Sequence, residues 1–293
     1  MELRHLRYFV AVAEELNFTR AAAKLGIGQP PLSQQIRDLE TEIGSQLFHR
    51  VAHGAELTAA GVAFLAEARI SLAAADHAKL AAQRAARGET GRLTLGFTAS
   101  ATFNPAVTTI IRQFRARWSE VALSLIEMNS NWLMEKLNRG ELDVAFIRPG
   151  LEDPKDVRLK RMADEQMLVA LPVGHPLAAQ SRVKLASLAG EPFIIFPRNM
   201  GLSLYTDILQ ACKEAGFELT VTQEAPQIPS VVNLVAAGLG VSIVPKSLAK
   251  IEIDGVVFRP IEGPPLVARL GIAMMKEQRS PIALNLFGLV QAS

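Results

Sequence analysis

Two sets of side chains in this sequence are spaced to do chemistry. The first is polar and basic and lies near the N-terminus: Arg20, then Gln29, Pro30, Pro31, Ser33, Gln34 and Arg37, then Arg50. Guanidinium, amide and hydroxyl groups in this order donate to and accept from phosphates and base edges. The second is a pair of hydroxyl-bearing stretches, Thr98-Ala99-Ser100 and Asn129-Ser130-Asn131, each following an apolar run. Hydroxyls where a strand gives way to a helix suit a carboxylate, held by O–H groups, backbone donors and the helix dipole. Capping the helix accounts for Ser100 and Ser130 equally well. Catalytic and metal-binding patterns are missing. No G-x-S-x-G, Walker A loop or H-E-x-x-H occurs, and Gly238-Leu239-Gly240 follows a helix rather than a strand. His5, His49, His53, His77 and His175 are scattered. His175-Pro176-Leu177 reads as a structural turn. Cys212 is alone in an apolar helical pattern with Leu209 and Phe217, as a buried structural thiol would be.

The polar N-terminal set needs three helices and a ribbon to present it. Leu3, Leu6, Phe9, Val10, Ala13 and Leu16 form one helical stripe. Asn17 or Thr19 caps a second helix through Arg20-Ala21-Ala22-Ala23-Lys24-Leu25, which stops at Gly26. Gln29-Pro30-Pro31 opens a third, because proline fits a first turn whose N–H groups have no partner. Leu32, Ile36, Leu39 and Ile43 turn inward, so Pro30, Ser33, Gln34 and Arg37 are expected to face out. A short ribbon ends at Leu57-Thr58. From Thr58 to about Gly88 the chain reads as one alanine-rich helix without proline. Leu65, Ala68, Leu72, Ala75 and Ala82 form a small-residue seam, interrupted by Lys79, at which two helices can approach closely. A single-domain core helix is the alternative, but this one is longer than a small core needs.

After Gly91 strands and helices alternate. Strands are expected at Leu93–Phe97, Val121–Ile126 and Val144–Ile147, then at Met167–Leu171, Phe193–Phe196, Leu219–Gln223 and Val241–Val244. Helices fall between them, including Asn131–Arg139, Leu202–Ala215 and Ser230–Ala237. Arg269–Met275 reads as a strand returning to the first set. The pattern predicts a mostly parallel sheet covered by helices.

Composition sets bounds. A length of 293 residues suits two or three folding units, and 49% hydrophobic with 20% charged residues describes a globular chain. No apolar run reaches membrane-spanning length and no signal peptide is evident, so a cytoplasmic protein without a membrane partner is expected. Net charge does not point to nucleic acid: residues 1–58 hold six Lys/Arg and seven Asp/Glu, a net of −1. Such a modest footprint implies that tight binding needs several subunits.

Residues Leu3 to Gly61 resemble the winged helix-turn-helix of LysR-type transcriptional regulators. The stretches that carry the likeness are Leu6-Arg7-Tyr8-Phe9-Val10-Ala11-Val12-Ala13-Glu14, Phe18-Thr19-Arg20-Ala21-Ala22, Gln29-Pro30-Pro31-Leu32-Ser33-Gln34-Gln35-Ile36 and Leu47-Phe48-His49-Arg50. The branch is similar to the benzoate- and muconate-responsive, phenylpropionate- and acetoin-type regulators. The resemblance implies an α+β multidomain chain: a winged helix-turn-helix (1–58), a long dimerising linker helix (59–88) and a bilobed α/β periplasmic-binding-protein-like effector domain (92–293). Lobe I would comprise 92–161 and 267–293, and lobe II 162–266. It further implies operator DNA, RNA polymerase and a homodimer or homotetramer as partners. No cofactor is implied beyond a small organic-acid effector, aromatic or diacid, between the lobes. By residue matching, Thr98, Ser100 and Ser130 would hold its carboxylate, with Phe146, Arg148, Pro197, Leu204 and Ile228 around the rest. Leu204 stands where aromatic-responsive relatives carry an aromatic residue. Arg148 could instead pair with Asp143 or Glu152. The competing function is a cytoplasmic small-molecule-binding protein with no DNA role.

Overall fold

The computed structural model describes residues 1–51, 54–151, 155–198 and 202–291. These divide into two units, Met1–Arg84 and Ala85–Ser293.

The first unit grows from three helices, α1 (Leu3–Glu15), α2 (Phe18–Leu25) and α3 (Gln29–Ile43). Asn17 caps α2, its Oδ1 accepting from the N–H groups of Thr19 and Arg20 at 2.9 and 3.0 Å. Gly26 ends α2 in the left-handed region (φ 68°), where a side chain would be strained. Leu6, Phe9, Val12, Leu32, Ile36 and Leu39 are buried together with Leu47 and Phe48. Strands β1 (Phe48–Val51) and β2 (Gly54–Leu57) pair antiparallel as the wing. The wing is tied to α1 by Ala55 N–H donating to the Leu16 carbonyl at 2.9 Å, and to α3 by Glu40, whose Oε1 accepts from Leu47 and Phe48 N–H. Ala52 and His53 lie outside the described residues.

Helix α4 (Ala59–Ala86) is capped by the Thr58 hydroxyl, which accepts from Gly61 N–H at 2.9 Å. A Cβ on Gly61 would stand 2.1 Å from the Leu47 carbonyl oxygen, so glycine lets the helix start against the wing. The expected seam divides here. Leu65, Ala68 and Leu72 pack with Phe64 on the unit's own core, whereas Val62, Ile70 and Leu80 are the exposed large apolar residues of the helix. The first turns of α4 cover the winged core because the chain enters the helix directly from the wing. This leaves a different face open.

The second unit follows in the order β3 (Gly91–Phe97), α5 (Ala99–Thr102), α6 (Pro105–Arg117), β4 (Val121–Glu127), α7 (Ser130–Asn138), β5 (Val144–Ile147) and β6 (Val157–Arg161). It continues through β7 (Glu165–Pro172), β8 (Pro192–Ile195), α8 (Leu202–Glu214), β9 (Thr220–Glu224), α9 (Ile228–Ala236) and β10 (Ser242–Pro245). It closes with β11 (Val256–Pro260), β12 (Val267–Ala268), β13 (Gly271–Met275) and α10 (Pro281–Leu289). Lobe I is one sheet in the order β4-β3-β5-β13-β6. The strand expected to rejoin the first set does so as β13, between β5 and β6. The sheet is mixed rather than mostly parallel, since β13 runs antiparallel to both neighbours while β4, β3 and β5 are parallel. In lobe II, β7 pairs antiparallel with β10, β11 and β12, and β8 pairs parallel with β9. The chain crosses between lobes twice, and the returning segments reverse strand direction in both sheets. Phe193, Ile194, Val231 and Val235 are buried in lobe II, and Leu93, Leu95, Phe114 and Phe146 in lobe I. No described helix is long and apolar enough to cross a membrane.

Candidate functional site

On the first unit, α3 exposes Pro30, Pro31, Gln34 and Arg37. Arg37 Nη2 donates to Gln34 Oε1 at 2.6 Å, and Gln34 Nε2 donates to Asp38 Oδ1 at 2.8 Å. The row holds a guanidinium and an amide in place, and among the described residues Arg37 meets no carboxylate directly. Ser33 departs from the outward position expected of it. It is 4% exposed, and its hydroxyl accepts from Gln29 Nε2 at 2.8 Å. Position 33 lies on the flank of the Leu32–Ile36 stripe, where a small side chain is enclosed by its neighbours. Arg20 is exposed near Glu15, and Arg50 lies over the Phe18 ring, 5.0 Å from its centroid.

Four of the seven acids that make the net charge of residues 1–58 negative are engaged. Glu14 meets Lys24 at 3.2 Å and Arg69 at 3.3 Å, and Glu15 meets Lys24 at 3.3 Å. The hydrogen bond from Lys24 holds the Glu14 carboxyl below its ordinary range. Glu42 pairs with the N-terminal amine, and Glu40 receives the wing's N–H groups. The basic face is thereby clearer of opposing charge than the residue count implies.

In the second unit a cavity of about 160 Å³ lies at the carboxyl ends of β3, β4 and β5, closed on the other side by lobe II. Thr98, Ser100, Ser130 and Arg148 line it from lobe I, and Phe196, Leu204 and Ile228 from lobe II. The capping alternative for the serines does not describe them. Asn129 is the cap of α7, accepting from Trp132 N–H at 3.0 Å, and Ser130 Oγ accepts instead from Arg148 N–H at 3.2 Å. Ser100 Oγ accepts from Arg148 Nε at 3.1 Å. Thr98 occupies the cap position of α5 yet caps nothing. Its hydroxyl is buried without a protein partner, one of two such side-chain atoms among the described residues, the other being Ser247 Oγ.

Arg148 is not paired with Asp143, one of the two acids expected as alternatives. Asp143 accepts from Thr94 N–H at 2.7 Å, and Glu152 lies outside the described residues. Its partner is Glu165 at the start of β7, at 3.1 Å, with Arg148 5% and Glu165 9% exposed. Arg148 also donates to the Ser100, Ala268 and Arg269 carbonyls, while Asn104 Nδ2 and Ser247 N–H donate to Glu165. Burial works to raise the Glu165 carboxyl, but the guanidinium and the bonds from Ser247 and Asn104 outweigh it and hold it below the ordinary range. Burial pulls Arg148 below its usual value against the opposing pull of Glu165, and an arginine so placed stays charged. Ser203 Oγ, on α8, donates to the Arg148 carbonyl at 3.1 Å, joining lobe II to the same residue.

Two residues expected around the cavity are elsewhere. Phe146 is fully buried in the lobe I core, and only its carbonyl turns to the site, accepting from Thr98 N–H at 3.2 Å. Pro197 does not line the cavity; its neighbour Phe196 does. Adjacent residues of an extended chain face opposite ways, so an offset of one exchanges wall for exterior. Glu127, Met128, Asn129, Pro226 and Gln227 also line the cavity. Their signal was positional, because each precedes a helix at the carboxyl end of a strand.

Both units of the chain match known proteins. The model of the bacterial regulatory helix-turn-helix protein, lysR family, matches residues 3–62, and that of the LysR substrate binding domain matches residues 86–293. The HTH-type transcriptional regulator BudR of Raoultella terrigena is 42% identical over 280 residues, covering 96% of this chain and 97% of BudR. The Hca operon transcriptional activator HcaR of Escherichia coli is 38% identical, covering 99% and 97%. Full-length CbnR complexed with its target DNA superposes with a TM-score of 0.84 at 30% identity, covering 99% of this chain and 98% of CbnR. The chain therefore belongs to the LysR family and is a DNA-binding transcriptional regulator with an effector-binding domain, not an enzyme.

Proposed function

We propose that a small organic acid enters the cavity between the lobes and switches this regulator on its operator. The carboxylate is received by the hydroxyls of Ser100 and Ser130, with Thr98 beside them, and lobe II closes over the body of the ligand. The observation that carries the reading is the Thr98 hydroxyl, buried without a partner among the described residues, lining one cavity with two serines at the carboxyl ends of parallel strands. A buried hydroxyl left unpaired costs free energy that a ligand oxygen recovers. The ligand shifts the regulator only through tighter binding to one lobe arrangement than to another. Gln34 and Arg37 read the operator from α3, with Arg20 and Arg50 on phosphates. The working unit is a homodimer or homotetramer in the cytoplasm, contacts RNA polymerase and needs no cofactor. Calorimetry on the Ser100→Ala, Ser130→Ala double variant is the test. Two charge-assisted bonds at about 1.5–3 kcal/mol each amount to a loss of affinity of a hundredfold or more. Wild-type affinity for the effector in that variant would move the site elsewhere.

A further inference from the structure

We propose that helix α10 is a strut that seats the hinge after α4 and ties it to β6, the strand that carries the chain out of lobe I, with Asn285 and Lys160 as its two positioning residues. The hinge, Arg87 to Gly91, is thereby held in register with the second unit, and a displacement of the crossover strand reaches it through α10.

The first turn of α10 forms the seat. Gly88 is buried with φ 68°, and a Cβ on it would stand 2.7 Å from the Ile282 nitrogen and 2.8 Å from the Pro281 carbonyl carbon. A Cβ on Gly91 would stand 2.9 Å from Ile282 Cδ1. The hinge backbone and the helix backbone therefore meet directly, a closeness that only glycine permits. One turn further along α10, Asn285 Nδ2 donates to the Arg87 carbonyl at 2.9 Å. A flexible linker that merely joined two bodies would need neither the close approach nor the bond.

Lys160 holds the other end of the helix. Its Nζ donates to the Phe287 and Val290 carbonyls at 2.9 and 3.1 Å and lies 4.8 Å from the centroid of the Phe287 ring. The last carbonyls of a helix have no partner within it and carry the negative end of its dipole, so an ammonium suits them. Lys160 lies on β6 opposite Ile272 of β13, two residues before Met162, beyond which the chain enters β7 of lobe II. Between the two ends, Ile282, Ala283, Leu286 and Phe287 are buried in the lobe I core. A short helix packed in this way moves as one body, which gives β6 a continuous path to Gly88.

The experiment is limited trypsin digestion of the full chain, with the cut after Arg87 timed by mass spectrometry. Cleavage there follows the fraction of time that the hinge spends out of its seat. The wild type is expected to be cut about tenfold or more slowly than a free peptide running from Ala82 to Thr94. Asn285→Ala removes one bond to the hinge and is expected to speed the cut by about threefold to tenfold. Lys160→Met keeps the stem over Phe287 and removes the ammonium. It touches no hinge residue, yet it is expected to speed the same cut by a similar factor while the cut after Arg158, on its own strand, keeps the wild-type rate. Lys160→Arg, which restores donors to the carbonyls, is expected to keep the hinge cut slow. Because both residues act through one seat, the Lys160→Met, Asn285→Ala double variant should fall short of the product of the single factors. Neither change should add to Gly88→Ala, whose Cβ unseats the hinge by itself. If Lys160→Met does not fold, Lys160→Gln takes its place. A wild-type cut as fast as in the peptide, an unchanged rate in the folded Lys160 variant, equal acceleration after Arg158, or factors that multiply in the double variant each overturn the proposal.

Discussion

Arg37 and Ser33 share a helix and an expected role, and their surroundings separate them. Arg37 is exposed and held by Gln34, so Arg37→Ala should weaken operator binding by about 1–3 kcal/mol in a mobility-shift titration. Ser33 is enclosed and bonded to Gln29, so Ser33→Ala should lower the melting temperature more than it changes the footprint. Equal loss of DNA affinity in both would return Ser33 to the reading face. Arg148 presents the larger energetic case. Truncating one partner of a buried pair leaves the other charge uncompensated, and Arg148→Ala should cost about 3–5 kcal/mol in denaturant unfolding. Glu165 also makes stability depend on pH. Its carboxyl is held below the ordinary range in the folded state, so its contribution is complete above the unfolded value of about 4.3 and is lost as pH falls through the folded value. Thermal melts through that acidic window should fall less steeply for Glu165→Gln than for the wild type.

At the scale of elements, three residues of the α4 seam, Leu65, Ala68 and Leu72, pack within the first unit. Small and apolar residues at helical steps signal close approach, but the same spacing serves packing within one subunit and between two. Leu72 packs on the winged core, so Leu72→Asp should unfold the first unit as read by circular dichroism. Leu80 is 55% exposed, and Leu80→Asp should leave that unit folded while lowering the mass seen by light scattering. An unaltered mass would remove this face of α4 from the subunit contact. Strand β13 carries a related lesson. Its apolar run identifies it as a buried strand, but its direction follows from where the chain returns from lobe II.

For the whole molecule, the linked quantities are ligand binding and stability. An acid that prefers the folded effector domain should raise its melting temperature, by RT ln(1 + [L]/Kd) in free energy, and the rise should vanish in the double serine variant. A rise that persists there would place the ligand in another cavity. The engaged acids Glu14, Glu15, Glu40 and Glu42 belong to this scale as well, because a net count of −1 for residues 1–58 says nothing of which carboxylates face the nucleic acid.

What the amino-acid order determined by itself was local or contiguous. Periodicity, capping residues and the Pro30-Pro31 start placed the helices of the winged unit, because those signals act within a few residues of one another. Alternation located the strands, and the loops after them pointed to Thr98, Ser100 and Ser130 as a cluster. Tertiary structure alone decided the partners that come from far along the chain. Glu165 reaches Arg148 across the lobe crossover, Phe196 rather than Pro197 faces the cavity, and Ser33 is shut in by its neighbours. A one-residue change of facing, or a contact closed by strands that meet from separate parts of the chain, leaves the local pattern unchanged. It is settled by the packing that buries the most apolar surface while satisfying every buried charge.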